Sequence, residues 1–297
     1  MVPPLSRRAL LPIAALCLAA RPGRAQPRPA VVASFSILGD MVRQVAGDRV
    51  ALRVLAGPET DAHVFQPRPS EAEAIRGAAL VLRNGLGFEP WLDRLLGSTR
   101  FAGVVVTATE GIAARRADPM AGHGPEAPDP HAWQDVRLAQ AYVRNIAAGL
   151  APLDPGAVEG AARYLARLAA LEDWVRGRLA AVPAERRVLV TSHGAFGYFA
   201  AAYGVRVLAP QGLGGQAQPS AAQVAALIRQ IREERITAVF LEGLGSQAVM
   251  ERLARDAGTA LRGRLYADTL SAPDGPAPTY EAMVRHNLDL MVPAMLA

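Results

Sequence analysis

The chain is expected to fold as an α/β protein of two lobes, each with a mostly parallel β-sheet flanked by helices, joined by one long backbone helix. Three observations lead there. Short apolar runs alternate with amphipathic stretches in both halves, as expected of strands covered by helices on both faces. Between the halves, residues 156–182 carry no proline and keep a helical apolar period. At 297 residues the chain also exceeds the usual span of one core.

Residues 1–25 read as a cleavable export signal. Arg7 and Arg8 form a basic start, residues 9–20 are apolar, and Gly23-Arg24-Ala25 offers a small-residue cleavage site. The apolar run is too short to span a membrane. The two arginines also fit a twin-arginine signal, so the export route stays open. The first lobe is assigned to residues 26–153, the linking helix to 154–183 and the second lobe to 184–297.

In the first lobe, residues 31–35 form a strand, 37–46 a helix and 50–55 a second strand. Pro69 opens a helix, because proline is tolerated in a first turn. Strands follow at 79–83 and 104–107, with a helix at 91–96 between them, and residues 136–150 are helical. Asp154-Pro155 is a suitable N-cap and first-turn pair. From there Val158, Ala162, Leu165, Leu168, Leu171 and Val175 keep the period of a helix spanning roughly 40 Å. The alternation then restarts. Strands are expected at 187–192, 205–208, 237–241 and 264–267. Helices are expected at 196–203, 220–234 (capped by Ser220), 247–257 and 280–292.

Composition narrows the function. Apolar residues make up 51% and charged residues 20% of the chain, which suits a packed globular protein. The formal charge is +5, but loss of Arg7, Arg8, Arg21 and Arg24 leaves about +1, so nothing points to nucleic acid. The single cysteine, Cys17, lies in the signal, and Leu16 before it does not suit a lipoprotein cleavage site. The mature chain would have no disulfide and no thiolate ligand. Any metal site must use nitrogen and oxygen.

Only five histidines occur, and three sit at loops or strand ends. They lie in Asp61-Ala62-His63-Val64-Phe65-Gln66-Pro67, Asp129-Pro130-His131-Ala132-Trp133 and Thr191-Ser192-His193-Gly194. A fourth stretch, Leu265-Tyr266-Ala267-Asp268-Thr269, adds a carboxylate. Three imidazoles and one carboxylate complete a coordination shell for a borderline divalent metal, zinc above all. Ligands of such sheets bind outside the carboxyl ends of the strands, so each lobe would supply two donors to a cleft. Each residue also has a plainer reading. His63 can be a surface histidine, His193 a core histidine bonded to backbone, and Asp268 a turn cap. His123, in a polar loop, reads as solvent-exposed or a transient metal contact, and His286 as structural. Glu242, at a strand end, can support a ligand or bridge the lobes. The three tryptophans read as core or pocket wall.

Taken together, these motifs resemble the substrate-binding proteins of zinc and manganese ABC transporters, the cluster A-I group with its ZnuA-like and TroA-like members. The resemblance covers residues from about 31 to 296. It implies two α/β lobes joined by a rigid helix, with His63, His131, His193 and Asp268 as metal ligands. In this group, histidine at the third position is typical of zinc binders, whereas manganese binders often have glutamate there. Two departures stand out. Zinc members often carry a long histidine-rich loop before the second ligand, but residues 117–128 hold only His123. A separate periplasmic metallochaperone would then donate the metal. Gly194 also stands where zinc members often have aspartate.

The implied function is capture of Zn²⁺ in the periplasm by a monomer and its delivery to an ABC permease in the inner membrane. Mn²⁺ or iron transport on the same scaffold is the alternative. A periplasmic zinc hydrolase is a further one, with Glu242 as its general base. Against it, four protein ligands would leave no open position for water. A zinc-stabilised surface protein is a third. The expected reading is not an enzyme.

Overall fold

The computed structural model describes residues 28–116, 127–210, 220–243 and 246–297. The export signal, Cys17 and His123 lie outside the described residues. The first sheet is seeded by β1 (Ala30–Phe35), buried along nearly its whole length. Such burial needs cover on both faces. α1 (Ser36–Ala46) supplies part of it directly after the strand. β2 (Ala51–Ala56) pairs on one side of β1. After α2 (Pro69–Gly77), β3 (Leu80–Arg83) pairs on the other. α3 (Pro90–Thr99) then leads to β4 (Val104–Thr107) at the edge, so the order is β2-β1-β3-β4, all parallel.

The second sheet repeats this order. It comprises β5 (Val188–Val190), β6 (Arg206–Leu208), β7 (Val239–Glu242) and β8 (Leu261–Leu265), arranged β6-β5-β7-β8 and parallel throughout. α6 (Gly197–Tyr203), α7 (Ala221–Glu233) and α8 (Gln247–Ala257) connect its strands, and α9 (Tyr280–Leu296) closes the chain. Each sheet thus reverses direction beside its first strand, which opens a crevice at the carboxyl ends. No repeat in the sequence announced this duplication.

Between the sheets run α4 (Val136–Leu150) and α5 (Ala157–Ala180). The 24 residues of α5 span roughly 36 Å at the ordinary helical rise. Its apolar stripe, including Leu168, Leu171 and Val175, joins one buried cluster. That cluster also holds Val31 and Phe35 from the first sheet, Leu265 from the second, and Met283 and Met291 from α9. The lobes therefore share a continuous core. Polar bonds reinforce it: the Tyr280 N–H donates to Asp40 at 2.8 Å and the Leu270 N–H to Ser36 Oγ at 3.0 Å. A large apolar interface of this kind resists independent motion of the halves. No helix among the described residues is long and apolar enough to cross a membrane.

Three expectations need correction. Asp154 does not cap the long helix, which starts at Ala157 with Gly156 at its N-cap. The Asp154 carboxylate instead accepts the Gly156 N–H at 3.0 Å and pairs with Arg49 at 2.9 Å. β8 begins at Leu261, three residues earlier than expected, because an edge strand accommodates Arg262 and Arg264. α9 runs through Pro293 to Leu296. A proline so near the end removes only one of the last turn's bonds. The capping box at Ser220 is present, with Ser220 Oγ accepting the Gln223 N–H.

α1 and α5 approach so closely that a Cβ on Gly160 would overlap the Val45 carbonyl oxygen. The obstacle is backbone, so no rotamer change relieves it. Gly160→Ala is expected to destabilise the protein by ~1–3 kcal/mol, read as a lower urea midpoint. An unchanged midpoint would show that the two helices can part freely.

Candidate metal centre

Local sequence places each of the four side chains. His63 lies between β2 and α2, where the Asp61 carboxylate accepts the His63 N–H at 2.9 Å in an Asx-type turn. Trp91 Nε1 donates to the neighbouring Ala62 carbonyl at 2.7 Å, and the His63 ring stands edge-on to Phe88 at 4.5 Å. His131 opens a short 3₁₀ turn before α4 and is fully buried. His193 follows β5, and Asp268 follows β8. All four lie beyond carboxyl ends of strands, as the fold demands of a ligand site.

The fourfold meeting is tight. One donor atom from each of His63, His131, His193 and Asp268 lies within 4.8 Å of every other. His63 Nε2 and His131 Nε2 are 3.3 Å apart. Asp268 Oδ2 is 2.9 Å from His193 Nε2 and 3.5 Å from His63 Nε2, and Oδ1 is 3.3 Å from His131 Nε2. That last contact is not a hydrogen bond, and Asp268 Oδ1 is buried with no hydrogen-bond partner among the described residues. The side chains of His63 and His193 keep 12% of their surface and Asp268 14%. The centre is therefore sunk but reachable from solvent.

Carboxylates behind the rings decide which nitrogens face inward. His131 Nδ1 lies 2.7 Å from Asp129 Oδ1, and His193 Nδ1 lies 2.9 Å from Glu242 Oε2. A carboxylate only accepts, so both Nδ1 atoms carry the proton, and Nε2 of each neutral ring is a lone pair directed into the centre. There it meets other acceptors. Such an arrangement calls for a cation, either a proton or a metal ion. Burial alone would push the His193 imidazole down, but Glu242 and Asp268 outweigh it and hold the ring well above the usual histidine range. Burial would likewise raise Asp268, yet His193 and His131 hold its carboxyl well below the usual range. With three nitrogens and one carboxylate oxygen, the donor set suits a borderline divalent ion.

Glu242 thus holds the His193 ring and backbone and does not bridge the lobes. It accepts the His193 backbone N–H at 2.7 Å as well as the ring proton. This answers the Gly194 departure, because the acceptor behind His193 comes from β7. Asp129 is the functional residue that sequence reading passed over. Its signal was the Asp-Pro-His spacing, which lets one carboxylate bond both the backbone N–H and the ring of His131. His286 is structural, its Nε2–H donating to the Arg264 carbonyl at 3.0 Å. Trp91 and Trp133 are buried, whereas Trp174 lies between the guanidinium groups of Arg178 and Arg285.

Comparison with known proteins agrees with this architecture. The ZnuA family model, zinc-uptake complex component A, periplasmic, matches residues 31–294. The chain is 34% identical over 282 residues to the zinc-binding protein TroA of Treponema pallidum, covering 91% of this chain and 90% of that one. It is 32% identical over 268 residues to the manganese-binding lipoprotein MntA of Halalkalibacterium halodurans, covering 88% and 87%. To the iron-binding protein YfeA of Yersinia pestis it is 33% identical over 264 residues, covering 87% and 84%. The solved structure of TroA matches with a TM-score of 0.83 at 31% identity, over 90% of this chain and 99% of that one. The chain belongs to the ZnuA family, the periplasmic metal-binding substrate-binding proteins of ABC transporters, which are not enzymes.

Proposed function

We propose that this chain, exported by a cleavable signal peptide, binds Zn²⁺ through His63, His131, His193 and Asp268 and delivers it to an ABC permease of the inner membrane. The observation that carries the reading is the convergence of three imidazole Nε2 atoms and one carboxylate on one spot. Charge supports a dication. Asp129, Glu242 and Asp268 bring three carboxylates to a largely buried pocket, and the rings are neutral once metal displaces protons. Imidazole at the third position favours zinc over the harder manganese, and a zinc-binding relative shares the fold. Mn²⁺ or iron on the same four donors is the second reading, because relatives named for those metals are equally similar in sequence.

A competition titration of metal-stripped protein should give tight one-to-one Zn²⁺ binding and weaker Mn²⁺ binding. His193→Ala should lose more affinity than the ~10–100-fold typical of groups behind a ligand. Equal or tighter Mn²⁺ binding would move the protein to the second reading. An unaffected His193→Ala protein would overturn the ligand set. Glu242→Ala, which removes only the acceptor behind His193, should cost ~10–100-fold.

The raised His193 fixes the sign of the pH dependence. In metal-free protein the ring holds a proton below its elevated pKa, and Zn²⁺ must displace it. Apparent affinity should therefore fall as pH falls, by about tenfold per unit for each proton displaced. Calorimetry in buffers of different ionisation enthalpy should register proton release on loading. Binding that is flat between about pH 6 and 8 would contradict a protonated His193.

A further inference from the structure

The turn between β3 and α3, residues 84–89, enters the site as described so far only through Phe88, which packs on the His63 ring. Its backbone takes left-handed values at three successive residues: Gly85 (φ 88°), Leu86 (φ 54°) and Gly87 (φ 77°). Leu86 pays a steric cost there that glycine would not. Gly85 has no room for a side chain, since a Cβ would come within 2.5 Å of the Thr107 methyl. A conformation of this kind persists only where its surroundings impose it.

Glu89 imposes it. Its Oε1 accepts the Asn84 N–H at 2.5 Å and the Ser34 hydroxyl at 2.9 Å, and its Oε2 accepts the Gly85 N–H at 3.2 Å. None of these donors is a cation, and burial pushes the carboxyl up to about 7. Keeping an acid in so unfavourable a place is costly. The visible return is the shape of the turn.

That shape reaches the candidate centre by two routes. Asn84 is fully buried, and its side chain is fully engaged. Oδ1 accepts the Tyr142 hydroxyl at 2.6 Å, and Nδ2 donates to the Gly85 carbonyl at 3.0 Å and to the Pro130 carbonyl at 2.9 Å. Pro130 immediately precedes His131. The second route is Phe88, whose ring lies 4.5 Å from that of His63 and 6.1 Å from that of His131. One six-residue turn therefore touches both first-lobe histidines without contributing a donor.

We propose that Asn84 is a positioning residue for metal binding, holding the His131 segment through the Pro130 carbonyl, with Glu89 anchoring the turn that carries Asn84 and Phe88. The proposal rests on the four-ligand reading above. An Asn84 amide that merely stabilised the fold would lower the melting temperature of metal-free protein and leave the metal site of folded protein unchanged. A positioning role alters the site itself.

The test uses metal-stripped protein titrated with Zn²⁺ and, for its absorption bands, Co²⁺. Asn84→Ala should weaken Zn²⁺ binding by about 10–100-fold and shift the Co²⁺ bands. Tyr142→Phe removes the hydroxyl that donates to Asn84 Oδ1 and also bonds the Trp133 backbone, and should weaken binding by roughly threefold to tenfold. The double variant should lose less than the two single losses combined, because both side chains belong to one hydrogen-bonded unit. If both variants bind within about twofold of wild type with unchanged Co²⁺ spectra, the proposal is overturned while the ligand set stands. If Asn84→Ala does not fold, Asn84→Ser, whose shorter side chain gives up the Pro130 bond, takes its place. Wild-type protein that binds neither metal tightly would reject the ligand set itself, a separate outcome.

Discussion

Three imidazoles and a carboxylate crowded within 4.8 Å need a cation, proton or metal ion, among them, and the carboxyl ends of both sheets are organised around that constraint. His63 Nε2 and His131 Nε2 face each other at 3.3 Å, and His193 Nε2 faces an Asp268 oxygen at 2.9 Å. Asp129 and Glu242 sit behind two of the rings and prevent them from turning the other nitrogen inward. The scaffold brings the four groups together before an ion arrives, so little of the free energy of loading is spent on assembly.

Holding them requires the two lobes to act as one body. The Ala267 carbonyl, next to Asp268, accepts from both Trp133 Nε1 at 2.8 Å and Gln134 Nε2 at 3.0 Å. Those donors follow His131 by two and three residues, so the second-lobe carboxylate is tied directly to the first-lobe histidine. Tyr280 adds a bond from its hydroxyl to the Trp133 carbonyl at 2.6 Å. Beneath them the core continues from sheet to sheet past α5. Opening the centre by wide separation of the lobes would expose that core. Local movement of the loops carrying His63 and His193 costs less, because both side chains already reach solvent.

Much of this was legible in the sequence because strands buried on both faces leave continuous apolar runs. β4, α4 and α8 fall within the residues that periodicity assigns. Elements with exposed or polar faces were harder to place. The arginines of β8 hid its start, and Asp154 was claimed by Arg49 instead of the helix end. Within the candidate site, the four side chains that residue chemistry picked out in a histidine-poor chain do converge. Residue chemistry could not identify what lies behind them. Glu242 is 49 residues from His193 and meets it only because β5 and β7 are neighbours. The Asn84 turn was invisible for the same reason. Its glycines read as an ordinary loop, and its contact with Pro130 spans 46 residues.

Relatives at about one-third identity are named for zinc, manganese and iron, so the shared fold does not by itself choose the metal. Selectivity must come from donor hardness and from how firmly the donors are held. A rigid set of three imidazoles and one carboxylate suits an ion content with four ligands, and zinc has no geometric demand that such a set fails to meet. Manganese favours more and harder oxygen donors. Asp268 can offer its second oxygen, which has no hydrogen-bond partner among the described residues, and this would raise the count by one. By holding the Ala267 carbonyl, Trp133 and Gln134 fix the backbone beside that oxygen, so the bonds that join the lobes also constrain Asp268.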